Sequence, residues 1–74
     1  EVDNMAMEKH LSITGASTVS WKDAIVQAVA EASKTIDYLS TVRVIEQRAK
    51  VNGKKITEYY VDLDLSFIID RDRD

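Results

Sequence analysis

The chain has 74 residues, a formal net charge of −3, 45% hydrophobic residues, one histidine and no cysteine. This length corresponds to one domain, and the composition excludes disulfides, thiolate metal sites and a histidine-rich metal site within one chain. The ten basic residues are scattered, which argues against a nucleic-acid-binding patch. No apolar run approaches the roughly 20 residues of a membrane span. No secretory signal is visible, so we expect a cytoplasmic protein with one domain over residues 7–70 and flexible termini at 1–6 and 71–74.

A short strand and an amphipathic helix are predicted in the first half of the chain. Residues 8–14 alternate weakly between polar and apolar side chains, and Gly15 is expected to end this strand. Apolar residues then recur at three- and four-residue spacing, which is typical of a helix: Trp21, Ala24, Ile25, Ala28, Val29, Ala32 and Ile36. Ser17 and Ser20 are both candidate N-caps, and Asp23 follows Ser20 as in a capping box. We expect about 17 helical residues, ending between Ile36 and Tyr38.

A second strand and a hairpin are predicted next. Residues 41–51 are rich in β-branched side chains, which favour strands. Asn52 and Gly53 follow, and both tolerate the positive φ that a type I′ turn requires. The sequence therefore predicts a hairpin between the second and third strands, and the element order β-α-β-β.

The third strand carries the most pronounced pattern in the sequence. Six large apolar residues occupy every second position: Tyr59, Val61, Leu63, Leu65, Phe67 and Ile69. Polar residues stand between them, so the strand has one apolar and one polar face. From Thr57 to Ile69 it would span about 40 Å, whereas the helix would span about 25 Å. One helix cannot cover this face, and we expect other copies of the chain to cover the remainder.

Five segments of the chain carry a resemblance to a known family through their order and spacing. They are Ile13-Thr14-Gly15-Ala16-Ser17, Ser20-Trp21-Lys22-Asp23-Ala24, Ala32-Ser33-Lys34-Thr35-Ile36, Val42-Arg43-Val44-Ile45-Glu46-Gln47, and Tyr59 to Phe67. Together they resemble the dodecin family over about residues 7 to 69. The resemblance implies an α+β subunit in which a three-stranded antiparallel sheet wraps one helix. It also implies a homododecamer in the form of a hollow shell. Many members bind flavins in pairs near two-fold axes, as storage proteins rather than enzymes.

The residues at the family's flavin contacts differ in this chain. Flavin-binding members have a stacking tryptophan where this chain has Thr41, and a glutamine where it has Tyr60. Ring stacking contributes roughly 1–3 kcal/mol per ring, so Thr41 is expected to weaken flavin binding. The resemblance places a ligand such as riboflavin, FMN or lumichrome at subunit interfaces near Thr41 and Tyr60, with Glu46 as a polar contact. The alternative is a flavin-independent shell that binds a divalent cation, such as calcium, between subunits.

Acidic residues on the polar face of the third strand are the candidates for that cation. Asp62 and Asp64 share this face, and Glu46 is expected to oppose them from the second strand; carboxylate oxygens suit Ca²⁺ or Mg²⁺. The competing interpretation is a solvated polar face without a metal. Arg43, Arg48 and Lys50 are expected to form ion pairs between subunits, and the alternative is that they contact an anionic ligand or a phosphate group. The sequence offers no nucleophile with a nearby base, so we expect no enzymatic activity.

Overall fold

The computed structural model describes residues 6–70, and the side chains of residues 7–69 within them. The elements are β1 (Ala6–Ser17), α1 (Trp21–Ala32), β2 (Leu39–Asn52) and β3 (Lys55–Asp70). They confirm the predicted order and form one three-stranded antiparallel sheet in the order β1-β3-β2. Residues 1–5 and 71–74, which belong to the termini we expected to be flexible, lie outside the described residues.

The core lies between α1 and the apolar face of β3. Val61, Leu63 and Leu65 are almost completely buried together with Ala24 of the helix. Partly buried hydrophobic residues surround this cluster: Ile13, Trp21, Ile25, Ala28, Ala32 and Leu39. The alternation in β3 therefore correctly predicted which of its faces meets the helix.

Ser20 is the N-cap of the helix, and its hydroxyl oxygen accepts a hydrogen bond from the Asp23 amide at 3.0 Å. The Asp23 carboxylate does not complete a capping box. It instead accepts hydrogen bonds from the Ser17 hydroxyl at 2.6 Å and from the Gln27 amide at 2.8 Å. Ser20 thus pairs a backbone amide that the first turn leaves without an intrahelical partner, and Ser17 anchors the Asp23 side chain at the start of the helix.

The predicted helix was too long, because α1 has 12 residues and ends at Ala32. The Thr35 and Ile36 amides still donate hydrogen bonds to the Ala32 carbonyl, at 3.2 and 3.0 Å. The chain therefore keeps a helix-like curvature in a turn after the helix has ended. Ile36 stays in phase with the apolar stripe for this reason, and the periodicity alone could not distinguish this turn from a further turn of helix.

The prediction that Gly15 ends the first strand was wrong, since β1 continues through Gly15 to Ser17. A Cβ atom on Gly15 would lie 2.9 Å from the Ala24 carbonyl oxygen and 2.9 Å from the Ala28 Cβ. Glycine is needed here because the helix backbone passes directly over the strand. Its function is close packing rather than chain reversal.

The hairpin between β2 and β3 is confirmed, but its turn differs from the prediction. Asn52 pairs with Lys55, so the central residues are Gly53 and Lys54 rather than Asn52 and Gly53. Gly53 has a φ of 68°, and neither Asn52 nor Lys54 has a positive φ. A positive φ at the first central position alone is typical of a type II′ turn, for which glycine is the preferred residue.

Trp21 connects the start of the helix to both β2 and β3. Its indole N–H donates a hydrogen bond to the Arg48 carbonyl at 2.8 Å. Its ring meets the Tyr59 ring edge to face, with the ring centroids 4.9 Å apart. Edge-to-face pairs of this kind add to the stabilisation that burial provides. Trp21 is therefore a structural residue within the chain.

The helix packs on β1 and β3 and leaves the same face of β2 largely uncovered. Val42 and Val44 oppose Leu65 and Leu63 in register, yet remain 38% and 41% exposed. Register shifts at Leu39/Thr41, Val44/Glu46 and Lys50/Val51 interrupt the pairing of β2 with β3. No helix among the described residues is long and apolar enough to cross a membrane.

Candidate functional site

The face of the sheet that points away from the helix carries all five residues that the sequence singled out. Residues directly opposite each other in an antiparallel pair point to the same face. Tyr60, Asp62, Asp64 and Ser66 of β3 are opposed by Arg48, Glu46, Arg43 and Thr41 of β2, respectively. On the other side, Asp62, Asp64 and Ser66 are opposed by Thr14, Ser12 and His10 of β1. We refer to these eleven residues as the polar face.

An ion pair between Arg48 and Asp62 lies at the centre of the polar face. The Arg48 Nη2 donates to Asp62 Oδ1 at 2.7 Å, and its Nε donates to Asp62 Oδ2 at 3.3 Å. The Thr14 hydroxyl donates a third hydrogen bond to Asp62, at 2.9 Å. The hydrogen bonds from Arg48 and Thr14 lower the pKa of Asp62, and the hydrogen bond and charge of Asp62 raise the pKa of Arg48. Arg48 thus has an acidic partner within its own chain, whereas the sequence suggested one in another subunit.

The lowered pKa of Asp62 predicts a dependence of stability on pH. A carboxylate whose pKa is lower in the folded state adds stability above its unfolded pKa of about 3.9, and that stability is lost as the pH falls through the folded pKa. We therefore expect Asp62→Asn to lower the urea midpoint at pH 7 and to differ less from the unmodified protein at pH 3. A difference that stays constant between pH 7 and pH 3 would show that the ionised form of Asp62 adds no stability.

Two neighbouring side chains, Glu58 and Arg48, hold the Tyr60 side chain in place. Its hydroxyl donates to Glu58 Oε1 at 2.7 Å, and the Arg48 guanidinium carbon lies 5.4 Å from its ring centroid. The hydrogen bond to Glu58 and the partial burial of Tyr60 raise its pKa. The phenol therefore remains neutral at physiological pH and presents an aromatic surface that is fixed in orientation by Glu58 and Arg48.

His10, Asp64 and Ser66 form a second group on the polar face, at the other end of β3. His10 Nδ1 lies 2.9 Å from Asp64 Oδ2 and 3.3 Å from Ser66 Oγ, while Nε2 lies 3.7 Å from Glu8 Oε1. In a serine–histidine–aspartate relay the hydroxyl and the carboxylate contact opposite nitrogens of the imidazole. Here both approach Nδ1, so the three residues are not arranged to activate Ser66 as a nucleophile.

The three residues predicted to contact a ligand are spread along the polar face. Thr41 opposes Ser66, whereas Tyr60 lies six residues further along β3, a distance of about 20 Å. Glu46 opposes Asp62, between the two. One chain therefore does not bring Thr41 and Tyr60 to the same small molecule, and a ligand that contacts both would lie between two chains.

The expected cluster of carboxylates is only partly formed. Glu46 does oppose Asp62, as predicted, and Asp62 and Asp64 share one face at a separation of about 7 Å. However, Asp62 is bound by Arg48 and Thr14, and Asp64 lies beside His10. Within residues 6–70 no three histidine, aspartate or glutamate side chains are grouped closely enough to hold a metal ion. A cation site built from these residues would need oxygen ligands from a second chain.

The structure also assigns roles to residues that the sequence did not identify as site residues. Thr14 and His10 contact the two aspartates from β1, and their alternation with apolar residues was the only sequence signal for their orientation. Ile45 lies at a register shift of β2 and lines a shallow cavity of about 300 Å³ with Ser12, Thr14 and Asp62. Such an irregularity depends on the pairing of two strands and leaves no pattern in one of them.

Comparison with known proteins identifies related chains. A model of the dodecin family matches residues 8–70. Calcium dodecin of Mycobacterium tuberculosis is 35% identical over 63 residues, which cover 85% of this chain and 89% of that protein. The crystal structure of that calcium-chelating immunodominant antigen, with a novel calcium-binding site, has a TM-score of 0.75 and 33% identity, over 92% of this chain and 97% of that one. A variant of the Thermus thermophilus dodecin gives a TM-score of 0.83 and 29% identity, over 88% and 97% of the two chains.

Proposed function

The chain belongs to the dodecin family, and from this membership we propose that it is a cytoplasmic, homo-oligomeric protein that binds and stores a small molecule without catalysing a reaction. The proposal rests on the family match together with the spacing of residues on the polar face. The residues expected to contact the ligand lie too far apart within one chain to contact the same small molecule. The ligand then lies between subunits, in contact with Thr41 of one chain and Tyr60 of another, with Glu46 as a polar contact.

Assembly is supported by the apolar residues of β2 that the helix leaves uncovered. Val42 and Val44 continue the apolar face of β3 but have no helix above them. Contiguous exposed apolar residues of this kind are typical of surfaces that another chain covers. We propose twelve copies, as in the shell that the family resemblance implies.

Native mass spectrometry tests the assembly. Twelve chains of 8.4 kDa give a particle of about 100 kDa, and the same spectrum would reveal a small molecule retained through purification. A folded monomer at micromolar concentration would contradict the assembly and, with it, the proposed site between subunits.

For flavin, the proposal predicts that affinity increases when position 41 is given the stacking tryptophan that flavin-binding members of the family have. Thr41→Trp is expected to bind riboflavin about 5- to 150-fold more tightly than the unmodified protein, since one stacked ring contributes roughly 1–3 kcal/mol. Quenching of riboflavin fluorescence measures both affinities.

Val26→Trp is the control for this experiment. Val26 is 56% exposed on the helix, which lies on the opposite side of the sheet from Thr41. A tryptophan at Val26 should not increase riboflavin binding. Equal quenching by the two variants, or no quenching by Thr41→Trp, would contradict a flavin site at Thr41.

Divalent cation binding is the second candidate, and it is favoured by the similarity to calcium dodecin of Mycobacterium tuberculosis. We propose that Asp62 and Asp64 supply oxygen ligands, with Glu46 nearby and the remaining ligands from a neighbouring chain. Calcium prefers six to eight oxygen ligands, so two chains together are better able to complete its shell than one.

Thermal unfolding with calcium and with EDTA tests this candidate. A ligand that binds only the folded state at one hundred times its Kd adds about 2.7 kcal/mol, so Tm should rise with CaCl₂ and fall when EDTA removes bound ion. Asp64→Asn should abolish the shift. Glu31→Gln, on the exposed surface of the helix, should retain it. An unchanged Tm in calcium and in EDTA would exclude a specific site.

A further inference from the structure

The closed end of the β2–β3 hairpin extends beyond the rest of the sheet. β1 pairs with β3 only as far as Tyr59, which opposes Ser17 and contacts Trp21 at the start of the helix. Among the described residues no third strand pairs with residues 50–58, which we call the hairpin arm. A two-stranded hairpin is at best marginally stable in water unless it packs on something else. The hairpin arm therefore needs a packing partner outside its own sheet.

Two aliphatic side chains of the hairpin arm are uncovered on the side of the sheet that faces the helix. Val51 and Ile56 oppose each other in register, so they point to the same face. Val51 lies two residues after Ala49, which opposes Tyr59 on the helix-facing side. The two side chains are 60% and 47% exposed. The apolar face of the sheet thus continues past the helix onto the hairpin arm.

The hairpin arm is also basic, although the whole chain has a net charge of −3. It carries Lys50, Lys54 and Lys55 against one acidic residue, Glu58, whose carboxylate accepts the hydrogen bond from Tyr60. In the part of the chain that the structure describes, neither Lys54 nor Lys55 forms an ion pair. The hairpin arm therefore presents an aliphatic pair next to two lysines that can pair with a carboxylate.

A complementary surface lies at the opposite end of the sheet, on the same side as the helix. A cavity of about 360 Å³, which we call the end cavity, lies between the turn after the helix and the last part of β3. Its lining includes Ile36, Phe67 and Ile69, and Asp37 is the one charged residue of the lining. Within residues 7–69 Asp37 forms no ion pair. The end cavity thus combines an apolar surface with one carboxylate, which matches the hairpin arm in both respects.

The hairpin arm cannot reach the end cavity of its own chain. The two lie at opposite ends of a molecule whose longest dimension is 57 Å. A second copy of the chain is required to bring them together. A contact between two different surfaces of identical chains is head-to-tail, and it closes into a ring when the rotation between neighbours permits.

We propose that the hairpin arm of one copy docks into the end cavity of the next copy. Val51 and Ile56 pack against the apolar lining, and Lys54 or Lys55 pairs with Asp37. The inference rests on the homo-oligomer proposed above and adds the two surfaces that join its subunits. It also gives the hairpin arm the packing partner that its own chain does not supply.

Disulfide cross-linking tests this contact, because the chain has no cysteine of its own. Ile56→Cys is combined in turn with Ile69→Cys and with Asp37→Cys, and the assembled protein is oxidised with oxidised glutathione. A disulfide requires Cα atoms within about 7 Å of each other. At least one pair should give a ladder of covalent multimers on a non-reducing gel, since every chain carries both surfaces. Ile56→Cys with Val26→Cys is the matched control and should give no ladder.

Native mass spectrometry of Val51→Asp provides a second test. Val51 is largely exposed within one chain, so the variant should keep the circular dichroism spectrum of the folded protein. Docking would bury the new carboxylate in an apolar cavity beside Asp37, which is unfavourable for a charge. We therefore expect Val51→Asp to have a smaller native mass than the unmodified protein. Val26→Asp, on the exposed side of the helix, should keep the full native mass.

Three results would overturn the proposed contact while the unmodified protein remains an oligomer. The first is the absence of a ladder with both cysteine pairs, and the second is an unchanged native mass for Val51→Asp. The third is a ladder from Ile56→Cys with Leu11→Cys alone, which would place the hairpin arm in the groove between β1 and the helix. A monomeric unmodified protein would instead contradict the assembly itself.

Discussion

Leu63→Ala is expected to destabilise the protein by about 2–5 kcal/mol, the largest effect of any single substitution considered for this chain. Leu63 is 1% exposed and lies at the centre of the cluster formed by Ala24, Val61 and Leu65. Truncation removes apolar contacts and leaves a cavity that a small, closely packed core cannot fill by rearrangement. Urea unfolding at a fixed subunit concentration measures the change, because the stability of an oligomer depends on concentration.

Val19→Ala provides the control for this substitution. Val19 is 70% exposed in the connection between β1 and the helix, so its truncation should change stability by no more than about 0.5 kcal/mol. A loss below about 1 kcal/mol for Leu63→Ala would mean that the packing of the helix on β3 is not the main source of stability.

Gly15→Ala is expected to cost about 1–3 kcal/mol, although alanine normally favours folding over glycine. The added Cβ would lie 2.9 Å from both the Ala24 carbonyl oxygen and the Ala28 Cβ. The first of these is a backbone atom, so the helix itself must move away from β1. Urea unfolding would show the loss. Ala28→Gly removes one of the two contacts but costs about 1 kcal/mol by itself, as a glycine in a helix interior. In a double-mutant cycle, Gly15→Ala should therefore cost less in the Ala28→Gly background than in the unmodified protein.

Gly53→Ala is the comparison at the second glycine of the chain. Gly53 has a φ of 68°, and an added Cβ meets nothing within 4 Å. This variant should lose stability through backbone strain at a positive φ and not through a steric contact, so Ala28→Gly should not reduce its cost. If Ala28→Gly reduces the cost of neither glycine variant, or of both equally, close packing at Gly15 is not the reason for the glycine.

The predictions that succeeded rest on properties of single segments. The alternation in β3 correctly assigned Val61, Leu63 and Leu65 to the helix-facing side, because successive side chains of a strand must point in opposite directions. The stripe that includes Ala24 and Ala28 correctly placed the helix for the same kind of reason. The hairpin was predicted correctly because an asparagine followed by a glycine marks a reversal of the chain direction, whichever two residues occupy the central positions of the turn.

The predictions that failed concerned residues whose conformation depends on other parts of the folded chain. A glycine commonly marks the end of a strand, so the sequence suggested that β1 ends at Gly15. Only the position of the helix backbone above Gly15 shows why the strand continues through a glycine. Ile36 fits the helical stripe, although the hydrogen bonds to Ala32 belong to a turn. Nothing in the residues around Tyr38 indicates a positive φ, because an aromatic residue rarely adopts one.

The candidate site shows the same division between local and long-range information. From the amino-acid order alone, Tyr60, Asp62 and Asp64 could be placed on one polar surface and the family could be identified, because alternation and segment order are properties of neighbouring residues. The pairing of Asp62 with Arg48 and Thr14, and of Asp64 with His10, emerged only from the folded chain. These contacts join residues 14 to 54 positions apart, and their geometry depends on strand register and bulges, which are set by packing between segments.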